Sequence, residues 1–577
     1  MKLIEALEVM KRAASEVAGL RIFLACGFTP LHLQTFLSAE LLVSTPRKRP
    51  EIESGLFGDL VGNIERCEPQ GIENLVVVIE WSDIDLRLAA RSGGGWRVSQ
   101  MASIIDSAHE SIARLERAIA GASVQIPTVV CTPSLPLPPM FTTPRTEESP
   151  PEAQLRCALA SFVEHLSQQP GLRVVNTQYL DELSPLAGRY DLKSDLTSGF
   201  PYTLQHASAV GKVLADLIRP RAPKKGLITD LDDTLWAGIL GDDGAEGISW
   251  DLEHKSQMHG LYQQVLGSLG SSGVLIGVAS KNDPSAVKSA FEENNLLLTQ
   301  KDIFPFETHW SRKSESVTRI LKTWNISADS VLFIDDSPME VAEVQTVFPD
   351  MECIVFPKSD YQAIWELLGH LRDSFGKSAQ TEEDLLRTAS IRQAEIWREL
   401  ENSSENLADD FLKAAESHIV FHTSEPADQR VFELVNKTNQ FNLNGKRFSE
   451  REWRTLLSDP GVFLLAVSYK DKFGSLGVIA VIMGRMYAGK VNVNSWVMSC
   501  RAFSRRIEYQ CLQYILDAFG ADEIAFDYAA TPRNTPLRKF LTTLLGSPPV
   551  PGIRLTKDQF LTKVPRLFHL VEENAHV

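Results

Sequence analysis

Cysteine is scarce and scattered. Seven thiols occur in 577 residues (Cys26, Cys67, Cys131, Cys157, Cys353, Cys500 and Cys511), an odd number with no pair at CxxC spacing. That excludes a disulfide framework and argues against a thiolate zinc cluster. Long apolar runs are also missing: NLVVVIEW, among the most apolar, falls far short of the ~18 residues a membrane span needs. Positive charge is in deficit, with 58 Lys and Arg against 74 Asp and Glu and a net charge of −16. Such a surface disfavours non-specific binding to nucleic acid or to an anionic membrane, and neither is expected as a partner. The opening MKLIEALEVMKRAASEV is a charged amphipathic pattern without the apolar core of a signal peptide. The expectation is a cytoplasmic protein with reduced thiols. No internal repeat and no low-complexity tract interrupts the chain.

What is present is ordinary globular composition, 44% hydrophobic and 23% charged. Cores stop growing near ~250–300 residues, so a chain this long should divide. Residues 1–222 alternate helix patterns with short apolar runs, RIFLACGF, NLVVVIEW, VQIPTVVCT and LRVVNTQYL, which predict a parallel sheet covered by helices. The Pro/Thr/Ser-rich stretch 133–151 reads as a flexible excursion within it. A basic, proline-bearing linker, RPRAPKKG, precedes a second α/β pattern over 223–375, with apolar runs LITDLDD, VLIGVAS, VLFIDDS and MECIVF. Residues 376–577 open with a long helical stretch (381–402). They continue with two strands about Gly474, a strand VNVNSWVMS and an amphipathic helix ending at a glycine. The predicted architecture is therefore α/β in three domains.

Ligands of open α/β sheets bind beyond the carboxyl ends of the strands, and the second pattern places its chemistry there. Asp230, Asp232 and Thr234 form DxDxT directly after a strand. Two carboxylates two residues apart can face one pocket, one attacking phosphorus while the other handles the leaving-group proton. Ser280 ends the next run and is followed by Lys281, and its hydroxyl can donate to a phosphoryl oxygen. Lys313 opens a helix pattern, where its ammonium can neutralise a phosphoryl anion. Asp335 and Asp336 end VLFIDDS, where carboxylates suit Mg²⁺, an ion that prefers oxygen ligands. Singly, each of these is more often a turn, a cap or a solvated charge. Their joint order is specific.

This set resembles the haloacid dehalogenase superfamily of phosphotransferases. The resemblance implies Asp230 as nucleophile, Asp232 as general acid/base and Thr234 as support for the loop. It implies Ser280, Lys281 and Lys313 on the phosphoryl group. Mg²⁺ would be held by Asp230, the carbonyl of Asp232, Asp335 and Asp336. Only about 40 residues separate Thr234 from the next strand, enough for a small cap. DLDDTLWAGILGDDG, VASKND, LFIDDSPME, VNKTNQFNLNGKRF and SWVMSCRAFSRR together resemble the FkbH-like proteins. That family implies dephosphorylation of 1,3-bisphosphoglycerate and delivery of its glyceryl unit as a thioester to an acyl carrier protein. Attack of Asp230 on the acyl phosphate would waste the activation, so a thiolate should take the acyl carbon while the DxDxT site removes the ester phosphate.

The thiolate is either Cys500, beside Arg501, Arg505 and Arg506, whose charges favour ionisation, or the carrier's own pantetheine sulfur. Cys500 also reads as a small buried hydrophobe, and Cys511 as core. The region 376–577 resembles an N-acetyltransferase fold, with CRAFSRR in place of the pyrophosphate-binding loop. Arg501 matches that loop, but Ser504 and Arg506 stand where glycines are usual, which disfavours acetyl-CoA. Asn439, Asn442 and Asn534 join Arg501 and Arg505 as candidates for the acyl or pantetheine group. Turn chemistry is the competing reading of NKTNQFNLN, which also carries Lys437. Residues 1–222 resemble a flavodoxin-like or SGNH-hydrolase-like sheet, yet Cys26 and Gly27 stand where that hydrolase needs serine. Asp195 and His206 only loosely suggest its other partners, so the region reads as a docking or structural module. Two rival readings remain: a small-molecule phosphatase with non-catalytic flanking domains, and a carrier-binding scaffold without catalysis.

Overall fold

The computed structural model describes residues 1–12, 19–45, 48–92, 96–378, 391–392, 409, 412–423, 429–472, 474–487, 489–499, 502–503 and 505–574. The chain divides into two compact units, Met1–Arg221 and Ala222–Val577. The second unit carries two separate sheets joined by side-chain bonds: Arg533 pairs with Asp329 at 3.1 Å, and Gln440 donates to the Asn325 carbonyl at 3.2 Å. No helix among the described residues is long and apolar enough to cross a membrane.

The first unit is a five-stranded sheet in which every pairing is parallel, built from β1 (Gly19–Cys26), β2 (Arg49–Ser54), β3 (Asn74–Val78), β4 (Thr128–Cys131) and β5 (Leu172–Val174) in the order β2-β1-β3-β4-β5. NLVVV is buried along its whole length because helices cover both faces, hence its unbroken apolar run. RPEIES at the edge carries no such run and was not foreseen as a strand.

The Pro-rich stretch after β4 is not the flexible excursion expected. Ser134 and Met140 are buried. Buried Glu80 accepts from the Ser134 hydroxyl at 2.7 Å, from the Ser134 and Leu135 amides at 3.2 Å each and from the Tyr202 hydroxyl at 2.7 Å. The Ser134 hydroxyl also meets His206 Nε2 at 2.9 Å, and His206 Nδ1 meets the Ser184 hydroxyl at 3.0 Å. His206 therefore belongs to this buried network. Asp195 accepts from Tyr190 at 2.7 Å instead, so the two do not pair. Cys26 is buried with its thiol donating to the Phe28 carbonyl, and burial, with the nearby Asp83 charge, pushes it up to about 12. A thiol held so far from ionisation is core, not a nucleophile.

The second unit begins with β6 (Gly226–Thr229), β7 (Leu275–Ser280), β8 (Phe306–Thr308), β9 (Val331–Asp335) and β10 (Glu352–Val355), all parallel in the order β10-β9-β6-β7-β8. The Trp324 ring lies flat on the two central strands because both present glycine there. A Cβ at Gly226 would come within 2.6 Å of that ring, and one at Gly277 within 2.8 Å. Trp324 ends helix Lys313–Trp324, so this contact seats the far end of the helix that carries Lys313.

The other sheet contains β11 (His418–His422), β12 (Phe441–Asn442), β13 (Val462–Asp471), β14 (Gly474–Tyr487), β15 (Lys490–Met498), β16 (Glu523–Phe526), β17 (Arg554–Thr556) and β18 (Leu570–Asn574), in the order β17-β16-β15-β14-β13-β11-β18 with β12 on β15. Most neighbours are antiparallel. β15 and β16 are parallel, joined through helix Ile507–Ala518, and β11 and β18 are parallel.

The buried network of the first unit carries opposed pH responses. Burial, then the Arg189 charge, holds His206 down to about 3 from its ordinary 6.5, while burial pushes Asp83 up to about 7 from 3.8. Between pH 6.5 and 3 the unfolded chain binds the His206 proton and the folded chain refuses it, so acid destabilises. Between pH 7 and 3.8 the folded chain binds the Asp83 proton first, so acid stabilises. Each effect amounts to at most about 4–5 kcal/mol. The free energy of amide exchange in β3 and β4 should therefore rise from pH 7 to 4 in His206→Gln and fall over the same range in Asp83→Asn.

Candidate active site

Three adjacent strands, β6, β7 and β9, end beside one another, and the residues at or just past their carboxyl ends build the site. Asp230 follows β6, its amide bonded to the Ile334 carbonyl at 2.9 Å. Ser280 ends β7 and Asp335 ends β9, both buried. Lys313, 3% exposed at the first turn of its helix, lies 2.6 Å from Asp230 Oδ1 and 2.7 Å from Asp335 Oδ2. Burial opposes its charge, but the two carboxylates outweigh burial and hold the ammonium above its ordinary range. Burial and the Asp230 charge raise Asp335. Its Oδ1 also accepts from the Ser337 amide at 3.0 Å.

Carboxylate oxygens of Asp230, Asp335 and Asp336 lie within 4.8 Å of one another. An all-oxygen donor set of this kind fits a hard divalent cation such as Mg²⁺. Asp336 is half-buried and bonds Lys358 at 2.8 Å. The same ammonium binds Asp233 at 2.7 Å, which has a left-handed φ of +50°. Lys358 thus ties the loop after β6 to the loop after β9. Neither Asp233 nor Lys358 was singled out from the sequence, because no strand end or spacing marks Lys358 as a partner of either loop.

Asp232, on the same loop as Asp230, has partners of its own. Its Oδ1 accepts from Trp236 Nε1 at 3.0 Å and from the Leu240 amide at 3.1 Å, and its Oδ2 from Asn282 Nδ2 at 2.9 Å. Burial raises it despite these donors, which favours the protonated form that a general acid requires. Trp236 and Leu240 belong to the short insertion after the loop, closed by an antiparallel bridge between Ala237 and Ser249. Asn282 also donates to the Ser280 hydroxyl at 3.2 Å.

Thr234, expected to support the loop, is fully buried, and its hydroxyl has no hydrogen-bond partner among the described residues. Lys281 points to Glu340, 2.7 Å away, because that carboxylate stands on the facing helix.

Of the residues expected to hold an acyl or pantetheine group, Asn442 and Asn534 meet through the Asn442 carbonyl. Asn442 is buried, accepting from the Asn444 and Gly445 amides and donating to the Thr438 carbonyl. Asn534 is buried, bonded to the Thr531 amide and to the carbonyls of Asn442 and Ala529. Both are loop clamps, the turn chemistry that competed in the sequence. Arg505 is fully buried, its guanidinium over the Tyr469 ring and 3.9 Å from Asp471. Arg506 is held by Asp409 and the Arg566 carbonyl. Asn439 is partly exposed and accepts from Arg447 at 2.7 Å. Cys500 and Arg501 lie outside the described residues. Cys511 is buried and its thiol is raised by burial.

No family model and no curated protein matches this chain. Among solved structures, it is similar to the N-terminal part of the protein BF1531 from Bacteroides fragilis, described as containing a phosphatase domain complexed with Mg. The two are 18% identical, with a TM-score of 0.51, over 66% of this chain and 100% of that one. A 2,6-sialyltransferase of Vibrionaceae Photobacterium sp. JT-ISH-224 also aligns, at 10% identity over 58% of this chain and 78% of that one, but its TM-score of 0.14 carries no argument. The first likeness shows a shared fold, an α/β chain with parallel sheets.

If these carboxylates form a cation site, Asp335→Asn should lower Mg²⁺ affinity by roughly tenfold or more. Isothermal titration of the folded variant checks this, and a Ser314→Ala variant, outside the cluster, should bind as the parent does.

Proposed function

We propose that this chain is a Mg²⁺-dependent phosphohydrolase of the haloacid dehalogenase type whose phosphoryl acceptor is Asp230, coupled to acyl transfer onto a carrier protein. The observation that carries the first half is the convergence of Asp230, Lys313 and Asp335 at the ends of adjacent strands, with Asp232 on the same loop. An Asp230 oxygen attacks phosphorus, and the bond from phosphorus to the ester oxygen breaks. Asp232 gives its proton to the leaving oxygen. Water then attacks the phosphorus of the aspartyl phosphate, Asp232 takes the water's proton, and phosphate leaves with Asp230 restored. Lys313 holds Asp230 in place and neutralises charge on the phosphoryl oxygens. Mg²⁺, held by Asp230, Asp335 and Asp336, supplies further charge neutralisation and orients the phosphoryl group. The Mg in the B. fragilis structure supports this choice of ion.

The acyl-transfer half has separate support. The parallel pair β15 and β16 with its crossover helix follows the strand–helix–strand order of the N-acetyltransferase resemblance, and the sequence segment SWVMSCR contains Cys500. With 1,3-bisphosphoglycerate, the thiolate of Cys500 or of the carrier attacks the acyl carbon and expels the acyl phosphate. The Asp230 site removes the remaining ester phosphate. Where Cys500 takes the acyl group first, the carrier's pantetheine thiolate then attacks that thioester and releases the Cys500 thiolate; either route leaves a glyceryl thioester on an acyl carrier protein, in polyketide or related biosynthesis. The alternative is a phosphatase of small phosphate esters with non-catalytic flanking regions.

Two measurements test these halves. In single-turnover release of the leaving group, Asp232→Asn should slow an alkyl phosphate by about 10²–10⁴-fold and p-nitrophenyl phosphate much less, because that leaving group departs without a proton. Equal losses in that step would remove Asp232 as the acid. Incubation with Mg²⁺, the bisphosphate and an acyl carrier protein, followed by intact-mass analysis, should show a glyceryl adduct on the carrier. Phosphate release without an adduct would favour the alternative.

A further inference from the structure

The first unit holds a cavity of 1280 Å³ that no step of the proposed chemistry uses. Its walls include the loops that follow β1, β2, β3 and β4, at the carboxyl ends of the parallel sheet. In the order β2-β1-β3-β4-β5 the chain leaves β1 for β2 on one side and reaches β3 on the other. The crevice between β1 and β3 is therefore the switch point at which an open α/β sheet takes its ligand.

Asp83 stands at that crevice. It follows β3, and its Oδ1 overlies Gly27, the residue just past β1. A Cβ on Gly27 would come within 1.7 Å of that oxygen, so glycine is what admits the carboxylate. Asp83 Oδ2 accepts from the Glu80 amide at 2.8 Å. Its Oδ1 has no hydrogen-bond partner among the described residues, and Asp83 lines the cavity.

The other carboxylates of the lining are matched by cations. Asp85 pairs with Arg87 at 2.7 Å, Asp195 lies 3.8 Å from Arg91, and Asp59 pairs with Arg66 at 2.6 Å and also feels Arg114. Glu80 and Asp83 remain. Glu80 is bonded by hydroxyls and amides alone, and neither carboxyl has a cation in ion-pair reach among the described residues. Burial, with the Glu80 charge, is what pushes Asp83 up to about 7. A bound cation offsets both causes.

The remaining walls are apolar. Leu60, Trp81 and Leu88 line the cavity and are buried, while Phe57, Leu86 and Leu196 line it and are exposed, Leu86 by 72%. Exposed apolar side chains gathered round a crevice mark a binding site. A metal ion gains nothing from such walls, and an anion meets unmatched carboxyls.

We infer that this cavity binds an organic ammonium, whose N–H groups bond Asp83 Oδ1 at the β1–β3 crevice while its apolar body covers the walls around Leu86. Such binding is independent of the Asp230 reaction.

Titration calorimetry of the full chain at pH 8, where Asp83 is largely ionised, tests this with n-hexylammonium, methylammonium, hexanol and hexanoate. Hexylammonium should bind one equivalent, about tenfold or more tighter than each of the others. The methylammonium comparison reads the apolar walls, and the other two read the carboxylate. Asp83→Asn retains an oxygen for the Glu80 amide and should bring hexylammonium down to the affinity of hexanol. If that variant does not fold, Leu86→Ser, at an exposed position, should weaken hexylammonium about threefold or more. Absence of hexylammonium binding, hexanol or hexanoate binding as tightly as hexylammonium, or folded variants that bind it like the parent would each overturn the inference. Turnover is not read, so failure of the phosphatase reading leaves this result unaffected.

Discussion

One ammonium between two buried carboxylates holds the central site together. Asp230 and Asp335 share a low-dielectric pocket where their mutual repulsion is strong, and Lys313 lies within 2.7 Å of both. Buried ion pairs seldom repay their desolvation as stability. Such an arrangement at the ends of parallel strands points instead to chemistry that needs charge held ready. The scaffold for it is apolar and ordinary: Trp324, seated on Gly226 and Gly277, places the helix whose other end is Lys313.

A second constraint is the linkage between loops. Lys358 spans Asp233 and Asp336 and so bridges the loop that carries Asp230 and Asp232 to the loop that carries Asp335 and Asp336. Asp232 is held by donors from the short insertion and from Asn282. Asp230 and Asp232, two residues apart in sequence, thereby meet different partners: the Lys313 ammonium for one, and the Trp236, Leu240 and Asn282 donors for the other.

Much of the central region was legible because strand ends are marked in sequence: an apolar run that stops at Asp, Ser or Asp-Asp identifies both the strand and the position beyond it. The strands around Gly474 and the helix ending near Gly520 were legible for the same reason. The edge strand Arg49–Ser54 was not, since an edge needs little burial. The pairing of Lys281 with Glu340 was not legible, because adjacency to a motif does not determine which way a side chain turns. Asn442, Asn534 and Arg505 have the chemistry of ligand-binding groups, but their partners are backbone groups or buried side chains of this chain. The Pro-rich stretch 133–151 has loop composition, and only the distant Glu80 and His206 show that it is pinned at Ser134.

Local order along the chain was thus enough to specify α/β character, the parallel sheets and the residue types waiting at their ends, because burial on both faces leaves an unbroken apolar signature. Folding in three dimensions settled the rest: that Lys358 joins two loops, that Asp195 and His206 stay apart, and that the loops after four strands of the first unit line one cavity. Those outcomes depend on contacts between residues tens to hundreds of positions apart, and distance in sequence carries no record of them.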